Sequence, residues 1–254
     1  MKTYHAELHV HTVLSPCGDI EMIPPLIVEE AMNRGINLIA ITDHNASANV
    51  CAVQRAAKGL DLVVLPGIEL QTREEVHALC LFDTLKQVEI FQARVDAALP
   101  AVKNNVDFFG EQFVVDETGE FLRREERLLL TSTSLTLKDA WQQVNDLGGM
   151  LIPAHVDRKA FGLIPVLGFV PTDVPFDALE ISRFLRTDES PRILAQVSAY
   201  PLIQSGDVHY LREFLGINEF HLESPTIAEI RLALHQREGR SHRLHALELT
   251  TCVV

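Results

Sequence analysis

The sequence predicts an α/β fold in which parallel strands close into a barrel. Apolar strand segments alternate with helical segments about seven times, and the connections are short. Side chains able to bind metal follow many different strands, which is typical of a barrel, whereas an open sheet gathers them mainly at one switch point. A chain of 254 residues is long enough for one large α/β domain or two small ones. The barrel favours a single domain over residues 1–254.

The first predicted strand, residues 5–11, has the alternating pattern of a half-buried strand. Leu8 and Val10 alternate with His9 and His11, so both imidazoles lie on one face. Two neutral imidazoles side by side suit Zn, Mn or Fe. An exposed polar strand face is the alternative for such a pair taken alone.

The next elements repeat the order of helix and strand. A helix over residues 24–34 begins at a proline pair and ends before Gly35. Residues 38–42 and 62–69 are apolar runs that end in polar residues, which is typical of a parallel sheet covered by helices. Three further elements follow by hydrophobic periodicity. They are a helix at 47–58, a strand at 76–82 and a helix at 85–99.

Residues 103–134 are predicted to be an excursion from the barrel. It contains a β-hairpin around the glycine-containing turn 116–119. The main fold then resumes with three helices and five strands. These are a helix at 137–147, strands at 150–155 and 178–183, a helix at 191–197, strands at 201–205 and 220–222, a helix ending at 236 and a strand at 242–250.

The charge balance restricts the class of partner. Lys and Arg number 22 against 35 Asp and Glu, a formal net charge of −13. This argues against long nucleic acid as a partner. A small phosphorylated substrate is compatible with it, because bound divalent cations reverse the local field of an acidic site.

Cysteine usage and hydropathy indicate the compartment. The 4 cysteines are widely separated and form no CxxC pair, so neither a disulfide framework nor a zinc ribbon is expected. We find no secretory signal pattern and no apolar run of about 18 residues that would span a membrane. A cytoplasmic location is therefore expected.

The candidate ligands share a position at or just after predicted strand ends or in the adjoining loops. They are His9, His11, Asp19, His44, Glu69, His77, His155, Asp207 and His209. Imidazole and carboxylate donors without thiolate suit Mn, Zn or Fe. The set is too large for one ion and indicates a centre of two or three. Cys17, two residues before Asp19, either approaches this cleft or is a bystander.

The motifs in their chain order resemble the PHP (polymerase and histidinol phosphatase) family of metal-dependent phosphoesterases, in particular its small stand-alone members. They are His9-x-His11, Asp19, Asp43-His44-Asn45, Pro66-Gly67-Ile68-Glu69, His77, Pro153-Ala154-His155 and Gly206-Asp207-Val208-His209. The resemblance implies a distorted (β/α)7, TIM-like barrel with two or three divalent ions (Mn, Zn or Fe).

The resemblance also implies how the ligands divide among the ions. One ion is assigned to His9, His11, Glu69 and Asp207, and a second to Asp19, His44 and His209. A third is assigned to His77 and His155, with Glu69 bridging. Asp43 is expected either to hydrogen-bond a ligand histidine or to hold the strand end.

The implied activity is hydrolysis of a small organic phosphate or a nucleotide, by attack of a metal-bridging hydroxide on phosphorus. Asp19, His209 or a metal-bound water could act as the general acid. Arg158 and Arg183 are candidates to bind the phosphate, because the planar guanidinium suits a terminal phosphate. One alternative is a 5′-3′ exonuclease or oligonucleotide phosphodiesterase. Others are a non-catalytic, metal-stabilised module that binds a protein, and an amidohydrolase.

Overall fold

The computed structural model describes residues 1–185 and 191–245. The strands are β1 (Lys2–Val10), β2 (Leu38–Ile41), β3 (Val63–Gln71), β4 (His77–Leu81), β5 (Phe113–Val115), β6 (Phe121–Arg124), β7 (Met150–Pro153), β8 (Leu179–Ile181), β9 (Leu202–Gln204), β10 (Asn218–Leu222) and β11 (Ser241–Leu244). The helices are α1 (Pro24–Asn33), α2 (Val50–Ala56), α3 (Leu85–Ala98), α4 (Val106–Phe109), α5 (Leu137–Asp146), α6 (Leu163–Leu167), α7 (Pro191–Val197) and α8 (Ile227–Leu234).

Seven strands form one curled sheet in the order β11-β10-β1-β2-β3-β4-β7, and β8 pairs with β9 in a separate parallel pair. This pair lies between the two sides of the curl. On one side, Val156 N after β7 donates to Glu180 O of β8 at 2.8 Å. On the other, Val208 N donates to His9 O of β1 at 2.9 Å, in a parallel bridge. The α/β barrel predicted from the sequence is therefore confirmed.

The barrel departs from the predicted parallel arrangement at β4, which is antiparallel to both β3 and β7, and at β10, which is antiparallel to both β1 and β11. Only residues 72–76 join β3 to β4, a connection too short for the crossover helix that parallel strands need. Gln71 is paired with His77 as a result. His77 therefore stands at the start of its strand, on the rim where the parallel strands end.

The buried strands have apolar side chains on both faces, as a helix-covered sheet requires. In β2, Leu38 and Ala40 join one buried cluster with residues of β1, β7 and α8. Ile39 and Ile41 join another with residues of α1 and α2. This alternation explains the continuous apolar run in the sequence.

Most predicted elements form within a few residues of their expected bounds. The helix expected at 47–58 is shorter: α2 begins at Val50, whose N donates to Ser47 O at 3.1 Å in a turn. The strand expected at 242–250 is present as β11, and residues 246–250 lie outside the described part. Among the helices in the described ranges, none combines the length and the apolar run that a membrane span requires.

The excursion at 103–134 contains α4 and the predicted hairpin of β5 and β6. Two asparagines fix it to the barrel rim. Asn45 Nδ2 donates to Leu129 O at 2.8 Å and to Thr131 O at 2.9 Å. Asn49 Nδ2 donates to Phe113 O at 3.0 Å. The excursion is thereby held beside the strand ends that carry the candidate ligands.

Candidate metal centre

The buried carboxylate of Glu69 lies at the centre of the candidate ligands. Its Oε1 atom lies 2.9 Å from His77 Nδ1 and 3.2 Å from both His9 Nε2 and His155 Nε2. Its Oε2 atom lies 2.8 Å from His44 Nδ1. Glu69 comes from β3 and the histidines come from or follow four other strands, so the closed barrel is what brings them together.

A second carboxylate, Asp207, completes the arrangement from the loop after β9. Its Oδ1 atom lies 3.3 Å from His9 Nε2 and 3.4 Å from His11 Nε2. The rings of His11 and His209 stack with centroids 4.0 Å apart, and those of His11 and His44 are 4.5 Å apart.

The donor atoms converge in three overlapping groups that could each hold a metal ion. The groups are His9, His11, Glu69 and Asp207; His11, His44 and His209; and His44, Glu69 and His77. Two nitrogens nearby, His77 Nε2 and His155 Nδ1, are buried and lack a hydrogen-bond partner within the described residues. Buried polar atoms are nearly always satisfied, so these atoms indicate a missing partner. Nitrogen and oxygen donors in this arrangement fit divalent ions.

The electrostatics of the cluster depend on close imidazole–carboxylate pairs. Burial alone would raise the pKa of Glu69, but His77, His9 and His44 hold that pKa well below its usual range. Burial likewise opposes ionisation of Asp207, yet His9 and His11 keep its pKa well below the usual value. The carboxylates are therefore ionised and able to bind cations.

Glu180, which the sequence analysis did not single out, orients one of these histidines. Its buried Oε2 atom lies 2.9 Å from His9 Nδ1 and accepts a hydrogen bond from His155 N at 3.0 Å. Residue His155 has a φ of 30°, a left-handed value that is costly for a side chain of this size. The sequence signal that could have identified Glu180 is its carboxylate inside the apolar strand β8.

Asp43 affects the orientation of His11 through the hydroxyl of Ser15. Its carboxylate accepts hydrogen bonds from Thr12 N at 2.7 Å, Thr12 Oγ1 at 2.8 Å and Ser15 Oγ at 2.7 Å. Ser15 Oγ in turn lies 2.9 Å from His11 Nδ1. Asp43 therefore holds the strand end and, through Ser15, fixes the orientation of His11.

Glu7 is a second buried carboxylate that sequence reasoning missed. It accepts hydrogen bonds from Gly206 N at 2.8 Å, Leu215 N at 2.7 Å and Gly216 N at 3.2 Å. Burial raises the pKa of Glu7 to about 7 despite these donors. These bonds position the loop that carries Asp207, whose own φ of 50° lies in the left-handed region.

Asp19 is placed differently from the other predicted ligands. Its backbone N donates to His209 O at 2.8 Å, while its Oδ1 atom accepts from Glu21 N at 3.0 Å. Within the described residues, the Asp19 carboxylate belongs to none of the three donor groups. Burial opposes ionisation of the nearby Cys17 thiol, yet the imidazoles of His44 and His209 lower its pKa to about 6.

A cavity of about 330 Å³ opens over the cluster. Its lining consists of Cys17, His44, Glu69, Gln71, His77, Phe109, Leu130, Arg158, Phe161, Asp207 and His209. The Phe161 ring stacks on His77 with centroids 4.4 Å apart and planes 3° apart. Phe109 and Leu130 come from the excursion at 103–134, which therefore forms part of the cavity wall.

The structure places the two predicted phosphate-binding arginines differently. Arg158 lines the cavity and forms an ion pair with the Asp207 carboxylate. Arg183 donates to Gly206 O at 2.7 Å and to Glu213 Oε1 at 2.7 Å, and the described cavity lining does not include it. Of the two predicted proton donors, His209 lines the cavity whereas Asp19 is outside that lining.

Comparison with known proteins gives a consistent result at the level of family and fold. The model of the PHP domain family matches residues 7–139. The uncharacterized protein YqxK of Bacillus subtilis (strain 168) is 24% identical over 275 residues, which cover 94% of this chain and 64% of YqxK. The 5′-3′ exoribonuclease Rnm of Salmonella typhimurium is 31% identical over 108 residues, covering 42% of this chain and 32% of Rnm.

Solved structures share the fold. The crystal structure of the lesion-specific endonuclease PfuEndoQ from Pyrococcus furiosus superposes with a TM-score of 0.66 and 20% identity, covering 95% of this chain and 58% of that protein. A second structure, of endonuclease Q with a 27-mer duplex substrate carrying an abasic lesion at the active site, also has a TM-score of 0.66, with 20% identity. It covers 94% of this chain and 58% of the enzyme. The chain therefore spans less than two thirds of the length of these relatives.

Proposed function

Because this chain belongs to the PHP domain family, we propose that it is a metal-dependent phosphoesterase acting on a small organic phosphate or a nucleotide. Members of this family hydrolyse phosphate ester bonds. The observation that carries the proposal is the convergence of five imidazoles on the buried Glu69 carboxylate at the floor of an open cavity.

Two sets of proposed ligands follow the donor groups in the structure, and the third follows the contacts of His77 and His155 with Glu69. His9, His11, Glu69 and Asp207 would hold one ion. His44 with His209, and His77 with His155 and Glu69, would hold the others. Bound divalent ions would supply a water of lowered pKa as the nucleophile and would neutralise the phosphoryl oxygens.

The protein's own residues would orient this centre and the substrate. Glu180 fixes His9, and Ser15 fixes His11, each through the ring nitrogen that faces away from Glu69. The Arg158 guanidinium lines the cavity beside Asp207. Its planar fork could donate two parallel hydrogen bonds to phosphate oxygens.

The cavity supports a small substrate. Its volume of about 330 Å³ is at the lower end of the range of roughly 300–1,000 Å³ for ligand pockets. The rings of Phe109 and Phe161 form apolar walls beside the donor groups, and such rings suit a nucleobase or sugar. We therefore favour a nucleotide over a purely aliphatic phosphate.

A second candidate is a 5′-3′ exonuclease or oligonucleotide phosphodiesterase. It is favoured by the similarity to Rnm and endonuclease Q, which act on nucleic acid. The net charge of −13 is the observation against a long strand. A steep loss of oligonucleotide affinity with added salt would favour this candidate over the first.

The proposal is tested by measuring hydrolysis of p-nitrophenyl phosphate, mononucleotides and short oligonucleotides with added manganese, before and after chelation. We expect His9→Ala and Asp207→Asn to abolish turnover in a folded protein. His245→Ala is the control, because His245 pairs with Glu219 at the surface, away from the cluster. Wild-type rates in the two cluster variants would refute the proposed site. Absence of turnover by the metal-loaded wild type on every substrate would favour the non-catalytic module.

A further inference from the structure

We propose that the cavity contains a nucleobase subsite, in which the ring of Phe161 stacks on the base and the amide of Gln71 hydrogen-bonds to its edge. This inference rests on the proposed function and deepens it, because it makes the base, besides the phosphate, part of what the cavity binds. The substrate class is then a nucleoside phosphate and not an aliphatic phosphate ester.

The loop after β7 holds Phe161 in a costly backbone conformation. Phe161 has a φ of 62°, a left-handed value that is rare for a bulky side chain. A Cβ atom at Gly162 would overlap the carbonyl oxygen of Arg158 and lie 2.9 Å from that of His155, so the tight return of the chain requires glycine. Backbone outliers of this kind cluster at ligand sites, where the surrounding structure holds them in place.

The constrained backbone places the Phe161 ring at the cavity wall. His77 N donates to Phe161 O at 3.0 Å, and the two rings are parallel, with centroids 4.4 Å apart and planes 3° apart. His77 therefore covers one face of the phenyl ring, while the ring also lines the cavity. Its remaining surface is a flat apolar platform of the kind on which nucleobases stack.

Gln71 lies beside this platform. Strands β3 and β4 are antiparallel, and Gln71 is paired directly with His77. Directly opposite side chains lie on the same face of a sheet, so Gln71 and Phe161 both lie next to His77, and all three line the cavity. Gln71 Nε2 donates to Ser132 Oγ at 3.1 Å. An amide has two donor hydrogens and two acceptor lone pairs, so this bond leaves capacity for the edge of a base.

The loop that carries Phe161 also carries a group for the other end of the substrate. Arg158 precedes Phe161 in this loop and lines the cavity beside Asp207. One loop would thus bind a phosphate at the metal centre and a base at Phe161. A sugar phosphate without a base would leave the subsite unfilled.

The test compares adenosine 5′-monophosphate with ribose 5-phosphate, which has the same sugar and phosphate but no base. We expect the metal-loaded wild type to have at least about fivefold higher kcat/KM for the nucleotide, the effect of stacking one base. Phe161→Leu and Gln71→Met should each lower this ratio, and Phe161→Tyr should retain it. Phe169→Leu is the matched control, because Phe169 is 60% exposed and outside the cavity lining. Equal kcat/KM for the two compounds in the wild type overturns the inference, even if the variants fail to fold.

A binding measurement separates this inference from the proposed function, because it requires no turnover. Phe161→Trp places an indole in the subsite, and the wild type gives the background fluorescence of Trp141, the one tryptophan of the chain. We expect adenosine 5′-monophosphate to quench the added fluorescence and ribose 5-phosphate to leave it unchanged, with no quenching by either in Phe169→Trp. Quenching in a protein without turnover would support the subsite and contradict the proposed function. Turnover of both phosphates with equal efficiency and without quenching would overturn the subsite and leave the phosphoesterase standing.

Discussion

The buried carboxylate of Glu180 contacts two of the proposed ligands, so its neutral isostere should weaken metal binding without removing a ligand. Glu180 Oε2 lies 2.9 Å from His9 Nδ1 and accepts from His155 N at 3.0 Å. Glutamine retains the volume and one oxygen acceptor, but it loses the charge that raises the pKa of His9 against the effect of burial. A less basic His9 is a weaker ligand.

Loss of such a partner of a ligand histidine typically lowers metal affinity by about 10- to 100-fold, or about 1.4–2.7 kcal/mol. We expect a loss in this range for zinc binding to Glu180→Gln, measured by competition with a chromophoric chelator. Glu219→Gln is the matched control, because Glu219 Oε2 lies 2.7 Å from the half-exposed His245 Nε2 in a surface pair. Wild-type zinc affinity in Glu180→Gln, or an equal loss of affinity in Glu219→Gln, would contradict the proposed role of Glu180.

Three further predictions concern substrate binding and stability. Arg158→Ala should raise KM for a nucleotide about tenfold or more, with a smaller effect of Arg158→Lys, because lysine keeps the charge but not the planar fork; steady-state kinetics check this. Burial lowers the pKa of His242 to about 4, so stability should be full above pH 6.5 and fall as the pH drops towards 4. The free energy of unfolding should fall by at most about 2 kcal/mol at pH 5. His242→Gln should abolish this loss, as measured by urea unfolding. Thr84→Ala should cost about 1 kcal/mol in thermal unfolding, because Thr84 caps α3 by accepting from Gln87 N; an unchanged Tm would contradict the capping role.

The sequence could predict which strands carry most of the donors, because most of the donors lie in or just after a local apolar run. Alternation alone puts His9 and His11 on one face of β1, and they do converge on Glu69. His77 could not be explained in this way. It reaches the same rim because β4 runs antiparallel, and that follows from a short connection and not from the alternation of strands and helices.

Local sequence patterns could not identify the carboxylates of Glu180 and Glu7, which support the candidate metal ligands. Glu180 contacts a histidine 171 positions away, and Glu7 contacts a backbone amide 199 positions away. Such contacts depend on the register with which the barrel closes, which hydrophobic periodicity does not encode. The family resemblance implied Asp19 as a ligand, but in the structure its carboxylate accepts a hydrogen bond from Glu21 N at 3.0 Å.

Anomalous X-ray diffraction from crystals of the zinc-loaded protein shows directly whether metal ions bind around Glu69. We expect a peak between His9, His11, Glu69 and Asp207, with a second beside His44 and His209. Both should vanish after chelation. Zinc peaks only at other places, for instance at the surface pair of His245 and Glu219, would contradict a metal centre around Glu69.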